Sequence, residues 1–454
     1  MPGLGFRLNR SWQQVPQLAG ARFRRNDQDF AAPRREPRPN QPVLARRARL
    51  RPALEIAIAQ TPAAETASRR SPSRAGDLSA LDGQAPELRR LLLAWWELHG
   101  RHTIPWKCQG DGRRPADGEA LEPYPVFVAE VMLQQTQLAV VLPYWQRWMA
   151  ALPNLHGLAT ADPQQVLLLW QGLGYYSRAR RLQLAAQQLL ERDPGDPWPR
   201  DLEGWQALPG IGRSTAGSLH SSVLDQPAPI LDGNVRRVLA RLLAWPLPPA
   251  RDLQSLWRIS EQLLDRRRPR AFNQALMDLG AGVCTPKRPR CPECPWSKHC
   301  AAYAGPDPTR WPVKETSRVV PFQVIGVGVV FDSVGRVLID QRLEEGLLGG
   351  LWEFPGGKQE AEEPIAATIQ RELREELAIE VEVGEELISL EHAYSHKRLR
   401  FVVHLCRWLS GEPQPLASQQ VRWVHPAELE AYPFPAANGR IIAALRAWIA
   451  GGGS

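Results

Sequence analysis

Leu208-Pro209-Gly210-Ile211-Gly212-Arg213-Ser214, followed by Pro229-Ile230-Leu231-Asp232-Gly233-Asn234-Val235, decides how this chain is read. Trp205–Leu208 reads as the end of one helix and Arg213–His220 as the start of another. Two glycines flanking an isoleucine make a tight turn between them. Such a turn offers backbone N–H groups at a helix N-terminus, which suits a DNA phosphate. The second segment sets Asp232 just before a helix expected over Val235–Leu243, a place where a lone aspartate ordinarily serves as an N-cap. Beyond it lie Cys284, Cys291, Cys294 and Cys300, spaced C-x6-C-x2-C-x5-C. Four soft thiolates in one short segment suit either a zinc ion or an iron–sulfur cluster, and spacing leaves both open. Cys108 and Cys406 stand alone, so the cysteine pattern points to metal rather than a disulfide framework.

Around these segments the pattern is helical from Ala85 to Ala304. Leu88, Leu91, Leu92, Trp95 and Trp96 fall at helical spacing, as do Val126, Val128, Val131, Met132 and Leu133. Pro143, Pro153, Pro163, Pro209 and Pro269 are expected to mark helix starts and stops. Residues 1–82 are rich in Arg, Pro, Gln and Ala and read as a disordered basic tail. Residues 305–320 hold three prolines and mixed charges and read as a linker. From Phe322 the character changes. Strands are expected at Phe322–Phe331, Arg336–Gln341, Val381–Leu390, Leu399–Trp408 and Val421–Val424. Helices are expected at Pro364–Leu377 and Gly439–Ile449. The fold class is therefore α plus α/β: an all-helical domain over 83–304, then an α/β domain over 321–450.

The net charge of +8 is uneven: residues 83–304 carry +6 and residues 305–454 carry −6. A basic middle domain suits a polyanion. No run of eighteen apolar residues indicates a membrane span, and no apolar stretch follows a basic start as in a secretory signal. The expected location is the cytoplasm, without membrane association.

Hairpin, aspartate and cysteine cluster, in that order, resemble the layout of the helix-hairpin-helix DNA glycosylases. Glu130-Val131-Met132-Leu133-Gln134-Gln135-Thr136 and Gly172-Leu173-Gly174-Tyr175-Tyr176-Ser177-Arg178 resemble the signatures of the MutY type within that superfamily. The resemblance covers roughly residues 88–304. The lyases of the superfamily carry a lysine nucleophile two residues after the second hairpin glycine. Ser214 stands there, so Schiff-base chemistry lacks its amine. A binding module without catalysis is disfavoured because both carboxylates, Glu130 and Asp232, are present.

The resemblance implies a [4Fe–4S] cluster on Cys284, Cys291, Cys294 and Cys300. It also implies a monomer acting on double-stranded DNA at A:8-oxoguanine or A:G mispairs, associated with the nucleoid. Glu130 would be the general acid toward adenine, with a proton affinity raised by burial. Asp232 would face the cationic sugar, and Asn234 would assist. Gln135 and Tyr175 would act as wedges near the lesion, with Thr136 and Leu173 in contact. Gly210, Gly212 and Ser214 would meet the DNA backbone. Lys287, Arg288 and Arg290 would meet phosphates. Two departures stand out: a polar insertion over about Gln109–Glu122, and Lys107 where the family pattern has an arginine near the lesion.

In the C-terminal domain, Gly357, Glu363, Arg371, Glu372, Glu375 and Glu376 read as the Nudix box, with Ala378 in place of its usual glycine. Glu372, Glu375 and Glu376 share a helix face that can hold Mg²⁺ against a nucleoside pyrophosphate. The domain also resembles MutT, with Arg342 and Asn438 at the positions that read an oxidised base there. His392-Ala393-Tyr394-Ser395-His396 resembles the MutY loop that contacts 8-oxoguanine in DNA, with Ser395 as the contact. Two readings stand: a lesion-reading module, favoured by the family role, or one that also hydrolyses 8-oxo-dGTP.

Overall fold

The computed structural model describes residues 79–315, 320–346, 348–393 and 397–452. The tail expected over 1–82 lies outside these residues up to position 78. Its last residues behave differently from the expectation. Ser79–Asp82 form one helical turn, α1, and Leu81 is buried in the helical core. An apolar side chain within reach of a hydrophobic pocket outweighs the polar composition around it.

Helices α2 (Ala85–His99), α3 (Pro123–Leu133), α4 (Leu138–Ala151), α5 (Leu155–Thr160), α6 (Pro163–Trp170), α7 (Ser177–Arg192), α8 (Leu202–Gln206) and α9 (Arg213–Leu224) come first. α10 (Gly233–Leu242), α11 (Leu253–Leu263), α12 (Pro269–Asp278) and α13 (Ala301–Ala304) complete the helical domain. They form two hydrophobic cores. One is built from α3 to α9, around Phe127, Trp148, Trp170 and Trp205. The other joins α1 and α2 to α10, α11 and α12, around Trp96, Phe272 and Trp296. The N-terminal helices thus complete the lobe that the later helices build. The segment before Asp232 crosses from the first lobe to the second: Ser260 Oγ donates to Ile230 O at 2.7 Å, and Leu231 N donates to Ser214 Oγ at 3.0 Å.

Pro143 does not mark a boundary as expected. It lies inside α4. Its missing N–H forfeits one backbone bond in the second turn, and the apolar packing of Val141 and Trp148 holds the helix regardless. The insertion over Gln109–Glu122 is tied down from both lobes. Arg114 stacks on Trp96 at 4.4 Å and pairs with Glu97, Arg268 pairs with Asp117, and Gly118 N donates to Asp225.

The C-terminal domain is one seven-stranded sheet with a helix on each face. β1 (Phe322–Phe331), β2 (Val337–Gln341), β3 (Trp352–Glu353), β4 (Gly356–Lys358), β5 (Glu380–Ala393), β6 (Arg398–Ser410) and β7 (Gln420–Val424) follow in sequence. The main order is β3-β2-β1-β6-β5, with β4 on β1 and β7 on β2. β1 runs parallel to β6, and the other pairs are antiparallel. Helix α14 (Ile365–Leu377) packs Ile369, Leu373 and Leu377 on one face. Helix α15 (Ala436–Ala450) packs Ile441 and Leu445 on the other. The domain docks on α6 and α7. Leu351 enters the first helical core, Gln164 bonds both Gly350 O and Trp352 Nε1, and Tyr176 Oη donates to Phe434 O at 3.0 Å. Among the described residues no helix is long and apolar enough to cross a membrane.

Helix α14 ends on Ala378 in the left-handed region, at φ 57°. A Cβ there clashes with the following carbonyl, by about 1–2 kcal/mol. Ala378→Gly is therefore expected to raise the melting temperature. The net gain is ~0.5–1 kcal/mol, because glycine gives back part of it as unfolded-chain entropy. Thermal unfolding of the two chains side by side measures this.

Candidate active site

Glu130 is the only charged residue of α3, whose other side chains are apolar all round its axis. Burial withdraws its carboxyl from water and, with a smaller push from the charge of Asp232 and against the pull of Ser218 and Lys107, raises it to about 7. Ser218 Oγ, buried beside it, makes no hydrogen bond of ordinary geometry. Asp232 comes from the other lobe. It is the N-cap of α10: its Oδ1 accepts from Val235 N at 2.7 Å, which fixes the side-chain rotamer. Asn234 Nδ2 donates to Asp232 Oδ2 at 3.4 Å, while Arg237 holds Asn234 Oδ1 at 2.8 Å. The two carboxylates come from different lobes, and Glu130 lies near enough to feel the charge of Asp232. One is placed to hold a proton and the other is oriented by a helix N-terminus.

The guanidinium of Arg178, a residue to which sequence reasoning gave no role, organises the turns beside them. It is buried and donates to Val131 O, Met132 O and Gln134 O at the end of α3, to Leu173 O and Gly174 O, and to Thr136 Oγ1. Burial lowers its proton affinity to about 10. The two turns it joins carry Gln135 and Tyr175, at φ 57° and 49°. Both are exposed, unlike Leu173, which is buried; Thr136 is half-buried against Arg178. Non-glycine residues at positive φ cost about 1–3 kcal/mol each and concentrate at functional sites.

At the hairpin, Gly210 turns at φ 80° and a Cβ there would press on Arg181 at 3.1 Å. Gly212 caps α9 over open space. Gln134 Nε2 reaches Gly210 O at 3.2 Å, which ties the end of α3 to the hairpin. Ser214 faces inward, on the segment before Asp232. Lys107 is half-buried; its Nζ pairs with Asp278 at 3.5 Å, and desolvation lowers its proton affinity. Asp278 accepts as well from Trp96 Nε1 at 3.0 Å and Arg101 N at 2.9 Å.

The four clustered cysteines are all free and half-buried, and each of Cys291, Cys294 and Cys300 feels the charge of its neighbours. Burial pushes Cys294 up to about 12. Arg241 wraps the loop they sit on, donating to Thr285 O and Pro286 O, with Nη1 3.4 Å from Cys284 Sγ. Among the described residues no three Cys, His, Asp or Glu side chains converge on the position of a single metal ion. Lys287, Arg288 and Arg290 are exposed, and Arg290 pairs with Glu293 at 2.9 Å.

In the C-terminal domain Arg371 holds Glu363, Glu372 and Glu375 at 2.9–3.2 Å. Burial, then Glu372 and Glu353, push Glu376 up to about 7. Arg342 pairs with Glu353, and Asn438 is buried, its Oδ1 accepting from Phe354 N at 3.4 Å. Ser395 lies outside the described residues.

A helix-hairpin-helix fold with two carboxylates at the lobe junction and a Nudix domain behind it defines the class: a base-excision DNA repair glycosylase. Residues 128–258 match the model of the HhH-GPD superfamily base excision DNA repair proteins, and residues 326–444 match that of the NUDIX domain. The mouse protein described as adenine DNA glycosylase is 36% identical over 386 residues, covering 74% of this chain and 73% of that one. The human protein of that description is 35% identical over 385 residues, covering 74% and 70%. One from Buchnera aphidicola of the pea aphid (Acyrthosiphon pisum) is 31% identical over 318 residues, covering 70% and 84%. The chain belongs to the adenine DNA glycosylase family.

Because folding raises the proton affinity of Glu130 from 4.5 to about 7, the folded state gains from its proton. That contribution is present below about pH 4.5 and is lost as pH rises through 7, up to ~3 kcal/mol in all. Glu130→Gln removes the titration. Its melting temperature is expected to exceed that of the unaltered chain at pH 8 and to match it at pH 4.5.

Proposed function

We propose that this chain removes adenine opposite 8-oxoguanine, or opposite guanine, from double-stranded DNA, acting as a monomer in the nucleoid. The observation that carries the reading is the pair of unlike carboxylates, Glu130 protonated near neutral pH and Asp232 oriented as an N-cap. Cutting an N-glycosidic bond requires a proton on the leaving base and a partner for the cationic sugar, the two-carboxylate logic of glycoside hydrolysis. Glu130 donates its proton to a ring nitrogen of adenine, and the electron pair of the N-glycosidic bond leaves with the base. Asp232 stabilises the oxocarbenium-like sugar, with Asn234 steadying the carboxylate. Water then adds to the sugar carbon, and the proton it gives up restores the acid form of Glu130. Ser214 in place of a lysine restricts the chain to base removal without strand cleavage.

A base stacked in a duplex is out of reach, so the adenine is flipped into the site. Gln135 and Tyr175, exposed on turns held by Arg178, support a wedge on the opposite strand, with Thr136 and Leu173 shaping the turns behind them. The N–H groups at Gly210 and Gly212 suit a phosphate, as do Lys287 and Arg288. The domains act as a helical unit over 83–304, a linker over 305–320 and a Nudix unit over 321–450.

Four free thiols on one loop fit a [4Fe–4S] cluster held by Cys284, Cys291, Cys294 and Cys300. Bound there, it would cross-link the loop that presents Lys287 and Arg288. The C-terminal domain reads the oxidised guanine in DNA, with Ser395 as its contact. A second reading adds Mg²⁺-dependent hydrolysis of 8-oxo-dGTP, with Arg342 and Asn438 on the base. Glu372, Glu375 and Glu376 on one face of α14 favour it.

Asp232→Asn keeps an N-cap of nearly equal strength and removes the negative charge. Single-turnover release of adenine from an A:8-oxoguanine duplex is expected to fall by several orders of magnitude, with duplex affinity unchanged in a gel-shift assay. Near-normal cleavage by this variant contradicts the assignment.

A further inference from the structure

Two bonds fix how α9 lies along α3. Gln134 Nε2, at the end of α3, donates to Thr215 Oγ1 in the first turn of α9 at 3.3 Å. Leu121 N, just before α3, donates to Val223 O near the end of α9 at 2.9 Å. The helices therefore run antiparallel. One turn inward from the Gln134–Thr215 bond stand Glu130 on α3 and Ser218 on α9, at the same level.

The direction of Ser218 follows from its neighbours. Successive helix residues turn by about 100°, so Ser218 lies about 40° from Ser214 and about 60° from Thr215, between the two. Ser214 Oγ accepts from Leu231 N, on the segment that ends in Asp232, while Thr215 faces α3. A Cβ at Gly217 would strike Pro229 O, so that segment lies close against α9 here. Ser218 thus points into the gap between the helix that carries Glu130 and the segment that carries Asp232. It is 4% exposed, and its Oγ has no hydrogen-bond partner. A buried hydroxyl without a partner is costly, and the hydrogen of a serine rotates to suit an acceptor. The acceptor at its level is the Glu130 carboxyl. Leu219, on the far side of Thr215, is apolar and buried.

We propose that the Ser218 hydroxyl donates to one oxygen of the Glu130 carboxyl and so orients it, leaving the other oxygen to carry the proton toward the base. Ser218 is a positioning residue that acts through Glu130. Its role in base removal rests on the reading of Glu130 as the acid; the contact does not. A donor to the carboxylate favours the ionised form, in the direction Ser218 already pulls. The charged groups that reach Glu130 are Asp232 and Lys107, and Lys107 is paired with Asp278. The others on the helices around it are engaged elsewhere: Arg178 with backbone carbonyls, Arg147 over Tyr144 and Arg213 over Trp257. His220 lies about 200° around α9 from Ser218.

The test is Ser218→Ala in the full chain, a change that keeps helix propensity and leaves α9 intact. Two readouts are taken. Single-turnover adenine release from an A:8-oxoguanine duplex is followed from pH 5.5 to 9. Melting temperature is followed from pH 4.5 to 9, with and without Glu130→Gln, which isolates the titration of Glu130 and needs no catalysis. Loss of the donor is expected to raise the proton affinity of Glu130 about tenfold, one pH unit. The fall in rate then moves about one unit toward higher pH, and the low-pH plateau drops because the carboxyl is less well oriented. The melting advantage that Glu130→Gln gives at pH 9 over pH 4.5 widens in the Ser218→Ala background. An unchanged melting advantage, or a rate profile that stays in place or moves to lower pH, overturns the proposal. A widened advantage beside rates independent of pH in both chains keeps the contact and removes Glu130 as the acid.

Discussion

One buried guanidinium holds the site in shape. Arg178 stands on α7 and donates to carbonyls at the end of α3 and on the turn after α6. The last turn of an α-helix leaves carbonyls without intrahelical partners, and in a dry interior these must be satisfied. Arg178 satisfies those of α3, one turn beyond Glu130, and those of the opposing turn with the same group. Its donors are fixed in one plane, so the two turns cannot drift relative to one another. The left-handed backbone at Gln135 and Tyr175 persists because this network over-determines it. A lysine at this position could offer only a point charge and three donors.

The second constraint is electrostatic. Glu130 and Asp232 lie in different lobes and differ in surroundings. Glu130 sits in an apolar helix where burial outweighs what Ser218 and Lys107 give its ionised form, and Asp232 accepts from a backbone N–H at a helix N-terminus. Such surroundings push the Glu130 carboxyl toward its neutral form and fix the orientation of Asp232, so one fold holds two carboxyl groups in unlike settings. The cap that Asp232 supplies fixes its side-chain rotamer, the geometry that the proposed reaction uses. Lys107, paired with Asp278, also lies near enough to Glu130 for its charge to lower that carboxyl's proton affinity.

Much of this was legible in the sequence, for physical reasons. α14 and β1 are long enough for their periods of 3.6 and 2 to show, and they stand within a residue of expectation. Glu130, Asp232 and the four cysteines could be singled out because motif and spacing mark them. Other features left no periodic trace. β3 and β4 have two and three residues, too few for alternation. β5 shifts register between Val383 and Ile388, which breaks its period and hides its full length. Arg178 bonds backbone carbonyls, which have no sequence signature. The inward turn of Ser214 and the Lys107–Asp278 pair depend on contacts between segments far apart in the chain.

The central claim is that Glu130 holds its proton into the neutral range and gives it to the base. Single-turnover adenine release from an A:8-oxoguanine duplex, measured from pH 5.5 to 9 with enzyme in excess, tests it directly. The account predicts a plateau at low pH and a fall above about pH 7, approaching tenfold per pH unit, as Glu130 loses its proton. A rate independent of pH across that range would contradict it.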